Sequence, residues 1–201
     1  MFADYERDQL KEIINVGAGN AANALAKLIG QSVKTTVPTI HLDRIERLTA
    51  QIGDPVEVVT AILMKINGEA PGIFFLLIPT ESAAKIADIL TSNHKKELNV
   101  LDSFDRSALQ EVGNILAGSS LGALSKFSGL SFIQSVPEIV TDSMGAILNS
   151  ILVEVGDEAG AALLITVNIS VGNGLRGDLF FFFDTAATGK MLNAVEQKLK
   201  S

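Results

Sequence analysis

The 201-residue chain contains no cysteine, which removes disulfides and cysteine-ligated zinc from consideration. Histidine is nearly as scarce. His41 and His94 are the only two, they lie far apart along the chain, and they do not make a metal site. Charged residues amount to 19%, and the sixteen Lys and Arg are scattered, with no basic run longer than Lys95-Lys96. With a formal net charge of −7, nonspecific attraction to nucleic acid or to anionic lipid is disfavoured. Long hydrophobic runs are also missing. The most apolar stretches, 72–79 and 179–183, fall well short of the ~20 residues of a membrane-spanning helix. The first eight residues include Asp4, Glu6, Arg7 and Asp8, unlike a signal peptide. These absences predict a cytoplasmic protein with no membrane insertion and no nucleic-acid partner. The 47% hydrophobic content is enough for a substantial core.

What is present is a pattern that occurs twice. Asp8, Glu12, Asn15 and Pro38 spell D-x3-E-x2-N-x22-P, and Ser107, Glu111, Asn114 and Pro137 spell S-x3-E-x2-N-x22-P. A shift of ninety-nine residues with no gap aligns the two segments, and roughly 13 of 33 positions are then identical. Among these are Leu10/Leu109, Ala18/Ala117, Gly19/Gly118, Lys27/Lys126, Gly30/Gly129 and Val37/Val136. A tandem duplication is the simplest account.

The first copy has helical periodicity in Leu10, Ile14, Ala18, Ala21, Leu25 and Leu28. The spacing predicts a helix from Asp4 or Tyr5 to Gly30, a favourable residue just past a helix end. Its small residues Gly17, Ala18, Gly19, Ala21, Ala22 and Ala24 would let another helix or a sheet approach closely. The counterpart runs from about Ser103 to Gly129, with Ser103 or Asp105 as cap. Strands are predicted over 56–66 and 72–79, with Asn67-Gly68 as the hairpin turn, and over 161–171 and 177–183 around Gly172-Asn173-Gly174. Helices follow each hairpin, one beginning at Thr80-Glu81-Ser82 and one capped by Asp184-Thr185. Residues 140–155 are read as a helix, because Met144, Ile147, Leu148 and Ile151 recur at helical steps. Residues 91–103 read as a linker. The expected fold is α/β (α+β): one domain of two pseudo-symmetric repeats, about 1–95 and 103–201. Their antiparallel hairpins join in one sheet, with long helices packed on it.

Glu and Asn three apart share one face of a helix. Neighbouring positions differ between the copies, but Glu12/Glu111 and Asn15/Asn114 do not, and helix propensity does not call for a mid-helix Asn. Two readings stand at this point. One is structural: a solvated Glu, and an Asn that bonds a nearby loop in both copies. The other is chemical. Neither group is a strong nucleophile, Asn is no base, and no Cys or His lies nearby for a triad. An amide can still donate to one atom, accept from another, and so orient a water. That suffices where the leaving group is already good, as in an acyl phosphate, because phosphoryl transfer rests on positioning and charge neutralisation. Pro38 and Pro137 read as the residues that lead into strands. Gly17-Ala18-Gly19-Asn20 lacks the Gly-Lys-Ser/Thr of a phosphate loop and lies inside the helical pattern. Phe180–Phe183 reads as a buried strand.

The duplicated pattern, with Asn15-Val16-Gly17-Ala18-Gly19-Asn20-Ala21-Ala22 around the first copy, resembles the CheC/CheX/FliY family of bacterial and archaeal chemotaxis phosphatases. The family signature is Asp or Ser, three residues, Glu, two residues, Asn, twenty-two residues, Pro. The resemblance covers almost the whole chain, and two intact copies resemble the CheC branch. One departure is Ile14, where family members often carry the glycine found here as Gly113. No flagellar-switch domain is expected after Ser201. The resemblance implies an α/β fold with internal pseudo-symmetry. It implies as substrate the aspartyl phosphate of the response regulator CheY, with Mg2+ carried by that partner and no cofactor of the chain's own. By analogy Asn15 and Asn114 align water, while Glu12 and Glu111 bind a lysine of CheY. It also implies binding to the receptor deamidase CheD, with 140–155 and Asp142 as the expected surface. The alternatives are a noncatalytic adaptor for CheY or CheD, or a flagellar-switch component.

Overall fold

A computed structural model describes residues 4–92, 101–155, 161–172 and 174–200. The order of elements is the same in the two halves. The first contains α1 (Asp4–Ile29), β1 (Val33–Thr35), β2 (Thr39–Arg44), α2 (Ile45–Thr49), β3 (Val58–Gly68), β4 (Gly72–Pro79) and α3 (Thr80–Thr91). The second contains α4 (Ser103–Ser128), β5 (Phe132–Gln134), β6 (Glu138–Ser143), α5 (Met144–Val155), β7 (Ala161–Val171), β8 (Leu175–Phe183) and α6 (Thr185–Lys200). Eight strands form one antiparallel sheet ordered β1-β7-β8-β4-β3-β5, with β2 beside β7 and β6 beside β3.

This topology exchanges strands between the halves. β1 and β2 pair with β7, and β5 and β6 pair with β3. The centre of the sheet is the pairing of β4 with β8, where Phe75 lies opposite Phe180 and Phe74 opposite Phe181. Phe75 and Phe180 stack with centroids 4.7 Å apart, while Phe74 and Phe181 meet edge-on at 5.3 Å. Successive strand residues point to opposite faces, so an unbroken run of phenylalanines feeds two cores at once. Phe181 and Phe183 join the core under α1, α3, α4 and α6, and Phe180 and Phe182 join the core under α2 and α5. The sheet thus separates a layer of α1, α3, α4 and α6 from a layer of α2 and α5.

Several sequence expectations are corrected. The cap of α4 is neither Ser103 nor Asp105 but Asp102. Its carboxylate accepts from the backbone N–H groups of Phe104 and Asp105, and Asp105 bonds back to the Asp102 N–H as a capping box. Residues 140–155 are not all helix. The chain stays in β6 through Ser143, because β6 pairs with β3 from Val58↔Ser143 to Leu63↔Glu138, and the helix starts at Met144. Asp142 therefore lies in β6, where its side chain accepts from the Ser143 N–H at 2.7 Å. Asn67-Gly68 is not the hairpin turn; both residues remain in β3 opposite Ile133 and Phe132. Gly68 has φ +115°, and an added Cβ would fall 2.2 Å from the Ser131 carbonyl oxygen, so that pairing calls for glycine here. The helix α2 is an addition, five residues too short for periodicity to reveal.

Other expectations hold. Gly30 (φ +66°) and Gly129 (φ +75°) follow the ends of α1 and α4 in left-handed geometry. Asp184 caps α6 by accepting from the Ala187 N–H at 2.7 Å. Pro38 and Pro137 immediately precede β2 and β6. The turn residue Asn173 and most of the expected linker, 93–100, lie outside the described residues.

Candidate functional site

α1 and α4 pack against each other on the sheet, and their small residues set how closely. At Gly17 an added Cβ would lie 3.0 Å from the Ala123 Cβ and 3.1 Å from the Ser120 Cα, so the helices nearly touch there. Gly113 is close-packed for another reason: an added Cβ would meet the Ile62 Cγ2 methyl at 2.6 Å. Ile14, its counterpart in the first copy, is itself a buried core residue. The inward stripe of α1 is Leu10, Ile13, Ile14, Gly17, Ala18, Ala21 and Leu25, and that of α4 is Leu109, Val112, Gly113, Leu116, Ala117, Leu121 and Leu124.

With those stripes buried, the repeated polar residues are turned outward. Asp8, Glu12 and Asn15 are exposed on α1. Ser107 and Glu111 are exposed on α4, and Asn114 is half-buried. Glu and Asn of each pair are offset by about 4.5 Å along the helix axis and lie on the same side. Gly19 and Gly118 sit one turn beyond the asparagines. Nothing lies within 4 Å of a Cβ built on Gly19. No side-chain hydrogen bond is formed by Glu12, Asn15 or Glu111 among the described residues, so their polar atoms are free to meet a partner.

The two pairs do not share one cavity. Gln9, Glu12, Val16 and Asn20 of α1 line a groove of about 400 Å³ together with Ala123, Lys126 and Phe127 of α4. The N-terminal half of α1 therefore lies along the C-terminal half of α4, which puts the Glu111/Asn114 pair toward the opposite end of the helix pair. The result is two separate sites on the helix surface, each offering a carboxylate and an amide, rather than one shared pocket. Such a surface can insert side chains into another molecule's site. Among the described residues no three His, Asp or Glu side chains converge as metal ligands.

The surroundings of the two pairs differ in a way the motif does not disclose. On α4, Arg106 Nη1 donates to the Ile139 carbonyl at 3.0 Å and Gln110 Nε2 to the Pro137 carbonyl at 2.9 Å. Gln134 of β5 directs Nε2 toward the Asn114 backbone carbonyl and side-chain Oδ1, both at 3.4 Å. On α1, Arg7 Nε is buried and meets no acceptor. The positions matching Gln110 and Gln134 are Lys11 and Thr35. Residues 106, 110 and 114 recur at four-residue steps, so a row flanking the motif could be found from periodicity. Gln134 could not, because only strand pairing brings it there.

Two exposed ion pairs on other elements shift the ionisation of one member each. The Lys65 ammonium is held above its ordinary pKa chiefly by its hydrogen bond to Glu154, and Glu81 below its own by Lys85. Both pairs are solvent-exposed helix or sheet surface interactions of small energetic worth.

Comparison with known proteins gives one consistent picture. Residues 6–42 and 104–141, the two segments that carry the repeated pattern, match the model of the CheC-like family. The chain is 30% identical over 199 residues to the CheY-P phosphatase CheC of Bacillus subtilis, covering 96% of this chain and 95% of that protein. Its fold is similar to that of Thermotoga maritima FliY, with a TM-score of 0.78 at 19% identity, covering 98% of this chain and 99% of that one. The FliM middle domain of H. pylori has the same fold, with a TM-score of 0.64 at 13% identity over 96% of this chain and 99% of the other. Among the described residues no helix is long and apolar enough to cross a membrane.

Proposed function

The chain belongs to the CheC-like family, and from that premise we propose that it accelerates hydrolysis of the aspartyl phosphate of CheY at two sites. At each site Glu12 or Glu111 pairs with a lysine on the response regulator, and Asn15 or Asn114 enters the partner's phosphorylation site. There the amide holds a water in line with phosphorus. The water oxygen forms the new P–O bond, and the bond from phosphorus to the aspartyl oxygen breaks. The aspartate leaves as carboxylate, and the water proton stays with the released phosphate. A carboxylate is a good leaving group, so aligning the water is the main task left to this chain. Mg2+ belongs to the partner in this scheme and neutralises charge on the phosphoryl oxygens.

The observation that carries the reading is the outward, unpartnered disposition of Glu12, Asn15 and Glu111, with Asn114 half-buried and contacted by Gln134, on two helices whose other faces are buried. Replacing both Asn15 and Asn114 with Ala should return the decay of phosphorylated CheY to its unassisted rate, and each single replacement should leave part of the activity. Decay as fast with the double variant as with the parent protein refutes the assignment.

A noncatalytic role, as an adaptor or a flagellar-switch component, gains weight from the FliM middle domain's shared fold, because that fold by itself is not specific to a phosphatase. It expects CheY to be captured with no faster loss of phosphate. For CheD, the reading places the contact beside α5, where Val136 and Val153 are exposed near a groove of about 380 Å³ lined by Leu63, Ile73 and Ile151. Unchanged CheD capture by Val153→Glu would remove that surface from the proposal.

A further inference from the structure

We propose that Gln134 is a positioning residue for Asn114, and that the second site is thereby preorganised while the first is not; this rests on the phosphatase reading above. Gln134 lies on the helix-facing side of β5, opposite Ile66 in the pairing with β3. It points at α4 across the stripe that holds Asn114 and Gly118. Gly118 leaves room for it: a Cβ there would already stand 3.5 Å from Gln134 Oε1 and 3.8 Å from Nε2. The Gln134 amide thus lies over the turn of α4 that carries the reactive amide, half-buried between helix and strand.

Its Nε2 donates toward two oxygens of one residue, the Asn114 backbone carbonyl and Oδ1, each at 3.4 Å. These contacts are long, as hydrogen bonds of a catalytic group often are before its partner is bound. Their direction decides what they do. A donor behind Oδ1 fixes which way the amide is turned, so Nδ2 faces outward. Oδ1 has two lone pairs, so the one not used by Gln134 remains for a water proton. Asn114 then presents one donor and one acceptor in a fixed order, as water alignment demands, and loses less rotamer freedom when it enters the partner.

α4 is also fastened to the chain that leaves β5 and enters β6. Arg106 and Gln110, on the same row of α4, bond the Ile139 and Pro137 carbonyls just past β5. Among the described residues the first copy shows no counterpart of these bonds. Thr35 stands where Gln134 does, and its shorter side chain makes no hydrogen bond to Asn15 among the described residues. Arg7 and Lys11 make no hydrogen bond to the β2 segment.

The test isolates the second site with Asn15→Ala and adds Gln134→Met, which keeps the shape and removes the donor. Phosphate release from phosphorylated CheY should then fall about tenfold in kcat, with KM within about twofold, because docking through Glu111 is untouched. In the Asn114→Ala background, where only the first site works, Gln134→Met should change nothing, which also shows that the variant is folded. Unchanged kcat in the Asn15→Ala background overturns the proposal. So does an equal loss in both backgrounds, which would mark Gln134 as merely structural. If the Asn15→Ala/Asn114→Ala control remains fully active, the phosphatase assignment itself has failed, and this proposal falls with it for a different and recognisable reason.

Discussion

Gly17 and Gly122 give a direct measure of how tightly the two site-bearing helices are held. Both are interior helical positions, Gly17 in α1 and Gly122 in α4. In a helix interior, Gly→Ala stabilises by about 0.8–1 kcal/mol through backbone entropy alone. At Gly122 nothing lies within 4 Å of the new methyl, so the whole gain should appear. At Gly17 the methyl meets the Ala123 Cβ at 3.0 Å, the Ser120 Cα at 3.1 Å and the Ser120 carbonyl oxygen at 3.2 Å. Two of these are backbone atoms, which cannot swing aside, so α1 and α4 must separate. Overpacking of this kind costs about 1–3 kcal/mol, which leaves Gly17→Ala destabilising by about 0–2 kcal/mol after the propensity gain. For a chain of this length 1 kcal/mol moves Tm by about 2–4 °C. Thermal unfolding followed by circular dichroism should therefore place Gly122→Ala above the parent and Gly17→Ala at or below it. If Gly17→Ala rises as far as Gly122→Ala, the helices are not in contact at that crossing, and the placement of the two sites on one rigid pair is wrong.

Two further outcomes follow from the same geometry. Glu12→Ala with Glu111→Ala should raise KM for phosphorylated CheY by more than it lowers kcat, because those carboxylates act in docking; a loss confined to kcat would contradict that role, and steady-state phosphate release distinguishes the two. Asp102→Ala removes two hydrogen bonds to the first turn of α4 and should cost about 0.5–2 kcal/mol in denaturant unfolding; an unchanged midpoint would mean that the capping box does not hold α4.

The shared outward faces that carry the candidate residues were legible in the sequence because they are local. Glu12 and Asn15, like Glu111 and Asn114, are three residues apart, and three residues on a helix fix a common face without any knowledge of the rest of the chain. The same holds for the ends of α1 and α4, where a single glycine in left-handed geometry marks the stop. What was not legible depends on pairing between distant segments. Asn67-Gly68 has the composition of a turn, but β5 reaches it from more than sixty residues away and keeps it in the sheet. Residues 140–143 precede a genuine helical pattern, and only their partner strand β3 holds them extended. Gln134 meets the same limit, since its contact with Asn114 exists only once β5 is seated against Ile66 to Gly68.

Strand exchange also gives the repeated element order a consequence beyond the doubled motif. The helix α1 runs into β1 and β2, which complete the second half's sheet at β7, while α4 runs into β5 and β6, which complete the first half's at β3. Neither half can bury its own sheet edge with its own strands, so the position of each site relative to the sheet is set by the other half. The central stack of Phe75 on Phe180 joins the halves at the middle of that sheet, and Gly17 against Ser120 joins the site helices above it. A single rigid frame thus holds two outward sites whose helix faces are alike and whose supporting strands are not. Thr35 and Gln134 are matching positions at which the two supports differ, and on the proposed reading that difference sets how firmly each asparagine is aimed.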